Sequence, residues 1–308
     1  MKRLLGFLLL FLLAMRGLSV SIEEELHGAY EAPLEAALES PVRVVLLGDS
    51  RAWMLDRDAL GPGVVNLAYP SDGTADMNAK LRFLLRHEVR PDLVFLQCDW
   101  HMLSRYRSRM NNRHRGLAIS SPEDAAAAYG ASFVEHALVR YVVRVVPLLD
   151  PGNAGFFQAW LAKRLFGEDL GPANEKAVAG TGRWDTMPRD RARARIRWRY
   201  AQFFTEPWDP ELAEPMEDLV RVAREQGIRV VGLRFPVVPE FQALTDAAPL
   251  GEVRRFYESL GIEILDFEPW FREDRLFRDQ DHLNPEGATR MAGLLRRWLD
   301  ARCAAPPP

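Results

Sequence analysis

The run Val42-Arg43-Val44-Val45-Leu46-Leu47, opened by Pro41 and closed by Gly48-Asp49-Ser50, constrains the chain more than any other stretch. β-Branched and apolar residues follow one another in it without the in–out alternation of a strand that has one wet face. Such a run is satisfied only when both faces are covered, as in a parallel sheet flanked by helices. Gly48 tolerates backbone angles that other residues resist, so the chain can turn tightly there. Ser50 then falls where the strand gives way to the next segment, at the carboxyl edge of the sheet. In open α/β sheets that edge is where ligands bind. A helix over residues 51–60 would turn its first backbone N–H groups toward whatever meets Ser50. The plainer reading is that Ser50 caps this helix, since Ser is a favoured N-cap.

Four further strand-like runs follow, at residues 64–69, 93–96, 228–235 and 262–267. Helical periodicity separates them. Met77, Leu81, Leu84 and Leu85 share one face of residues 75–87, which Pro91 stops. Leu212, Met216, Leu219, Val220 and Val222 form another, ended at Gln226-Gly227. Residues 250–260 and 285–302 complete the pattern, the last with Asn284 as its cap. Strands alternating with helices define an α/β protein with a mainly parallel sheet.

Near the far end, Asp279-Gln280-Asp281-His282 places an Asp three residues before a His, just ahead of the final helix. Ser, His and Asp far apart in sequence can form one site, because a triad is recognised by roles and not by order. Gly48-Asp49-Ser50 together with Asp279-x-x-His282 resembles the SGNH (GDSL-type) hydrolase superfamily, over residues 42–110 and 213–300. The resemblance implies a flavodoxin-like three-layer α/β/α sandwich. It implies Ser50 as nucleophile, His282 as base and Asp279 as the acid that orients the His, with Asp281 as a competitor for that last role. It also implies an oxyanion hole made of the backbone N–H of Ser50 and that of Ser71, or of Gly73 if the loop differs by two residues. One departure stands out. Where the family has Gly-x-Asn-Asp after the third strand, this chain has Gln97-Cys98-Asp99-Trp100-His101, so the Asn donor is missing. His101, Asn111 and Asn112 are the substitutes at hand.

The intervening stretch, 111–205, reads as a largely helical insertion. Residues 125–149 and 154–166 carry apolar faces, and 171–182 is loop-like. Arg189, Arg191, Arg193, Arg195, Arg197 and Arg199 follow beside Trp198 and Tyr200. On a helix these arginines would spread around the cylinder as a solvated surface. Close to the active edge they would instead form a basic rim suited to an anionic polysaccharide or lipid headgroups.

Charge and cysteine content bound the rest. A net charge of −3 and a pI of about 6.1 exclude a chain built electrostatically for nucleic acid. Cys98 ends an apolar run, Cys303 lies in an Ala/Pro-rich tail, and no zinc spacing exists. No cofactor or metal is expected. Lys2 and Arg3 precede an almost pure Leu/Phe run over residues 4–15, so residues 1–20 read as a signal peptide or short membrane anchor, followed by a linker over 21–40 and the domain over 41–303. The expected protein is exported: periplasmic, extracellular or membrane-anchored, with membrane association through the N-terminus. The expected function is that of a serine-dependent esterase or O-acyltransferase on acyl, foremost acetyl, esters of an envelope or extracellular carbohydrate. The alternative is a non-catalytic envelope or polysaccharide-assembly protein that keeps the fold.

Overall fold

The computed structural model describes residues 28–55, 57–109, 111–143 and 183–303, with scattered positions before residue 18 and at 164–165. The sequence expectations for 154–166, for 171–182 and for most of the apolar run 4–15 lie outside these residues. No helix among the described residues is long and apolar enough to cross a membrane.

Five strands form one all-parallel sheet: β1 (Val44–Leu47), β2 (Val64–Asn66), β3 (Leu93–Gln97), β4 (Arg229–Arg234) and β5 (Glu263–Asp266), in the order β2-β1-β3-β4-β5. Every residue of β1 and β3 is buried, as their unbroken apolar runs require. The helices Thr74–Arg86 and Pro210–Glu225 pack on each other over one face of the sheet, and Arg57–Leu60 packs on Pro285–Cys303 over the other. The result is an α/β three-layer sandwich. β1 is followed by a step outward to β2, after which the chain returns past β1 to β3. The gap between the carboxyl ends of β1 and β3 is therefore the topological switch point, where such sheets bind ligands.

Two local readings change. The segment after β1 is not one helix over 51–60 but two short ones, Ser50–Trp53 and Arg57–Leu60. Between them the Asn66 amide donates to the Ala52 and Leu55 carbonyls at 2.9 and 3.2 Å, replacing the bonds a continued helix would make. The helix Ala29–Glu39, expected within a linker, puts Tyr30, Leu34 and Ala37 into the main core. The arginine run is helical, Arg189–Phe204, with Ala192, Ile196, Phe203 and Phe204 as its buried side.

Gly48 is required by a close approach. A Cβ there would lie 2.5 Å from Gln97 Oε1 and 2.6 Å from the Ala52 methyl, both buried. Gly48→Ala is expected to destabilise the protein by ~1–3 kcal/mol through overpacking, read as a lower urea midpoint at unchanged slope. An unchanged midpoint would show that the strand end yields more easily than its packing suggests.

Candidate active site

Asp49, not Ser50, caps the first short helix. Its Oδ1 accepts the Arg51 N–H at 3.0 Å, which leaves the Ser50 side chain free of a capping role. The end of β1 is tied to the end of β3 by an exchange with the Gln97 amide. The Asp49 N–H donates to Gln97 Oε1 at 2.7 Å, and Gln97 Nε2 donates back to Asp49 Oδ1 at 3.0 Å. Ser50 is thereby held at the switch point, half-buried, on the first turn of a helix.

The loop after β5 brings His282 to it. The Arg278 N–H donates to the His282 carbonyl at 2.9 Å, an antiparallel bridge pairs Phe277 with Leu283, and Asn284 Oδ1 accepts the Gly287 N–H at 3.0 Å to start the final helix. Inside this turn Asp279 Oδ1 accepts the backbone N–H groups of Asp281 (3.1 Å) and His282 (2.9 Å) and faces His282 Nδ1 at 2.8 Å. His282 Nε2 lies 2.8 Å from Ser50 Oγ. Burial opposes the Asp279 charge. The facing His282 ring, Arg278 and the backbone N–H of Asp281 outweigh that and hold the carboxyl well below the usual carboxylate range. A permanently ionised Asp279 fixes the tautomer with the proton on Nδ1 and leaves Nε2 as acceptor toward Ser50.

Asp281, the competing acid, is 3.6 Å from His282 Nδ1 and turned elsewhere. Its Oδ2 lies 3.3 Å from both Arg51 Nη2 and Arg199 Nε. Asp279, Asp281 and His282 each offer an atom within 4.8 Å of the others, but both carboxylates already face guanidinium groups.

The oxyanion positions separate. Ser71 lines the same cleft as Ser50 and His282 and adopts a left-handed backbone, φ 71°, unusual for a residue with a Cβ. It occupies the third position of a turn in which the Asp72 N–H donates to the Tyr69 carbonyl at 3.0 Å, after Pro70. Gly73 is corrected: its N–H donates to Asp76 Oδ2 at 2.7 Å, as the cap of the next helix, and is engaged there. None of the three substitutes for the missing Asn takes its place. Asn112 Nδ2 donates to the Pro70 carbonyl and to Asp72 Oδ1, and Asn111 Nδ2 to the Ser108 carbonyl. His101 Nε2 lies 3.0 Å from Asp49 Oδ2. Asp99, at the position of the Asn itself, is a buried carboxylate that accepts from Arg51 (2.8 Å), Gln97 (2.7 Å) and the Phe235 N–H (2.7 Å).

The cleft over the triad measures about 290 Å³ and is walled by Tyr106, Arg107, Arg195, Trp198 and Arg199. A larger groove of about 490 Å³, between Leu34, Phe83, Phe133 and Tyr141, contains none of the triad residues. Sequence reading missed Arg51, Gln97 and Arg107. Their type gave no sign that they are buried, because burial of an Arg depends on partners that only the fold supplies.

No family model and no curated protein matches this chain. Among solved structures it is similar to a candidate acylhydrolase from Bacteroides fragilis NCTC 9343, at 12% identity over 87% of this chain and 94% of the other, TM-score 0.38. It is also similar to a GDSL-like lipase from Bacteroides thetaiotaomicron VPI-5482, at 12% identity over 90% and 98%, TM-score 0.40. The fold is flavodoxin-like on its own terms, by its sheet order, with Ser50 at the carboxyl end of its first strand.

His101 carries a pH signature. Burial first, then the neighbouring Arg51 charge, push its imidazole down to about 3. The unfolded chain binds that proton near pH ~6.5, so below this value the unfolded state takes up a proton the folded state refuses. Stability is expected to fall by up to ~1.4 kcal/mol per pH unit as pH drops from ~6.5 toward 3 through this group alone. Urea titrations between pH 4 and 7 on wild type and His101→Gln check it: the variant should lose that part of the slope, and an equal slope would mean that His101 titrates normally.

Proposed function

We propose that this protein is a serine-dependent ester hydrolase or O-acyltransferase of the SGNH kind. The observation that carries the reading is the chain of two 2.8 Å contacts, Ser50 Oγ to His282 Nε2 and His282 Nδ1 to Asp279 Oδ1, at the switch point of the sheet. Ser50 Oγ attacks the ester carbonyl carbon as its proton passes to His282 Nε2. The tetrahedral intermediate collapses when His282 returns the proton to the leaving alcohol oxygen, and an acyl group remains on Ser50. Water or an acceptor hydroxyl then attacks the acyl carbon and gives its proton to His282, which passes it to Ser50 Oγ as the bond between Ser50 and the acyl group breaks. Asp279 stabilises the imidazolium formed in each half. The N–H groups of Ser50 and Ser71 receive the oxyanion, and the strained backbone of Ser71 fits a donor held in place for that purpose.

The substrate we infer is an acyl, foremost acetyl, ester of an envelope or extracellular carbohydrate. The exposed indole of Trp198 and the ring of Tyr106 on the cleft wall suit the apolar face of a sugar, and the apolar run over residues 4–15 suits export or anchoring. A second reading is a non-catalytic envelope protein with the same fold. What favours it is that the Asn position is filled by an acceptor-only carboxylate, Asp99.

A fluorophosphonate probe separates the two. Wild type should be modified at Ser50, mapped by mass spectrometry. Ser50→Ala should not react, and His282→Ala and Asp279→Asn should react ~10²–10⁴-fold more slowly. A folded wild-type protein that stays unlabelled would favour the non-catalytic reading.

A further inference from the structure

Arg107 contacts the chain neighbours of both backbone groups proposed as oxyanion donors. It is only 5% exposed and lines the triad cleft together with Ser50, Ser71 and His282. Its Nη2 donates to the carbonyl oxygen of Asp72 and lies 3.8 Å from Asp49 Oδ2. Asp49 is the residue immediately before Ser50, and Asp72 the residue immediately after Ser71. One guanidinium thus bridges the neighbours of both N–H groups that flank the oxyanion position. Arg107 Nε is buried without a hydrogen-bond partner.

The other charges nearby leave this cation only partly matched. Asp49 is already met by the Arg51 N–H, the Gln97 amide and His101 Nε2, and at 3.8 Å Arg107 adds a long-range contact only. Asp72 Oδ2 is held by Lys80 Nζ at 2.5 Å and Oδ1 by Asn112 at 2.8 Å, so Arg107 meets that residue through its carbonyl. Burying a guanidinium against one carbonyl and one carboxylate at 3.8 Å, with Nε unpartnered, is costly. Negative charge appearing on the substrate oxygen would add a partner for this cation, and a preorganised cation facing a developing charge stabilises it.

We propose that Arg107 is a catalytic residue that supplies to the oxyanion the stabilisation given elsewhere by an Asn amide. This rests on the serine-hydrolase reading above. Arg is protonated at every working pH and cannot act as acid or base, so its contribution is charge and donors alone.

The test is the second-order rate of Ser50 modification by a fluorophosphonate, whose phosphoryl oxygen occupies the oxyanion position, in wild type and Arg107→Ala. The variant should react ~10²–10³-fold more slowly, and millimolar guanidinium should restore part of the rate while equal urea, the same shape without the charge, should not. A wild-type rate in folded Arg107→Ala, or rescue by urea as good as by guanidinium, would overturn the proposal and leave Arg107 as a prop for the Ser71 turn. Should the Ala variant not fold, Arg107→Lys and Arg107→Gln replace it. Lys, which keeps the charge, should react faster than Gln, and the reverse order overturns the proposal. Failure of wild type itself to label at Ser50 is a separate outcome, which removes the hydrolase reading and this inference with it.

Discussion

The site depends on one amide. Gln97 accepts from the Asp49 backbone and donates to the Asp49 side chain and to Asp99, so the ends of β1 and β3 are joined where the sheet's connectivity would otherwise let them part. Three consequences follow from that exchange. Gly48 must lack a side chain because Gln97 lies where its Cβ would be. Asp49 is fixed in position to cap the short helix, which sets the direction of Ser50. The Asp49 carboxylate also becomes a fixed negative centre, around which Arg51, His101 and Arg107 arrange themselves. A carboxylate at this depth needs that many donors, and those donors form the floor and one wall of the cleft.

A second buried network holds the opposite lip. Lys80 donates to the Leu67 carbonyl and to Asp72, and its ammonium sits 4.2 Å from the Tyr30 ring centre and 5.7 Å from that of Tyr69. Asp76 collects the N–H groups of Gly73 and Asn112 and the hydroxyl of Tyr129. With Asn112 on the Pro70 carbonyl and Arg107 on the Asp72 carbonyl, the 70–73 turn is held from several sides, the condition under which a non-glycine residue persists at positive φ. Burial of ion pairs contributes little net stability, so the gain here is conformational: one geometry for Ser71. Tyr30 belongs to the helix Ala29–Glu39, and the segment ahead of the first strand therefore takes part in shaping the site.

How much of this was legible depends on whether a feature is local. Strands with unbroken apolar runs, Val44–Leu47 and Leu93–Gln97 above all, declared both their type and their double burial, and the sheet class followed. Ser50, Asp279 and His282 were legible because each sits beside a turn signal at a strand end or a helix start. Gln97, Arg51 and Arg107 were not, since their meaning lies in pairings across 35 to 230 positions of sequence. Gly73 misled for a related reason: a Gly after Asp in a loop looks like a free backbone donor, whereas Asp76, three residues on, closes a cap upon it. The missing Asn was visible at once, and what stands in its neighbourhood was not.

The arginine-rich helix resolves into two sides for a physical reason. Its period of 3.6 turns Ala192, Ile196 and Phe203 inward, Arg195, Trp198 and Arg199 toward the cleft, and leaves Arg191 and Arg197 in solvent. Arg199 reaches Asp281, which also holds Arg51, the residue after Ser50. One buried carboxylate thus links the wall that faces the substrate, the loop that carries His282 and the helix that carries Ser50. Residues inserted between β3 and β4 therefore do more than cover the site. Through Asp281 they join an ion-pair network that reaches the loop carrying His282 and the helix carrying Ser50.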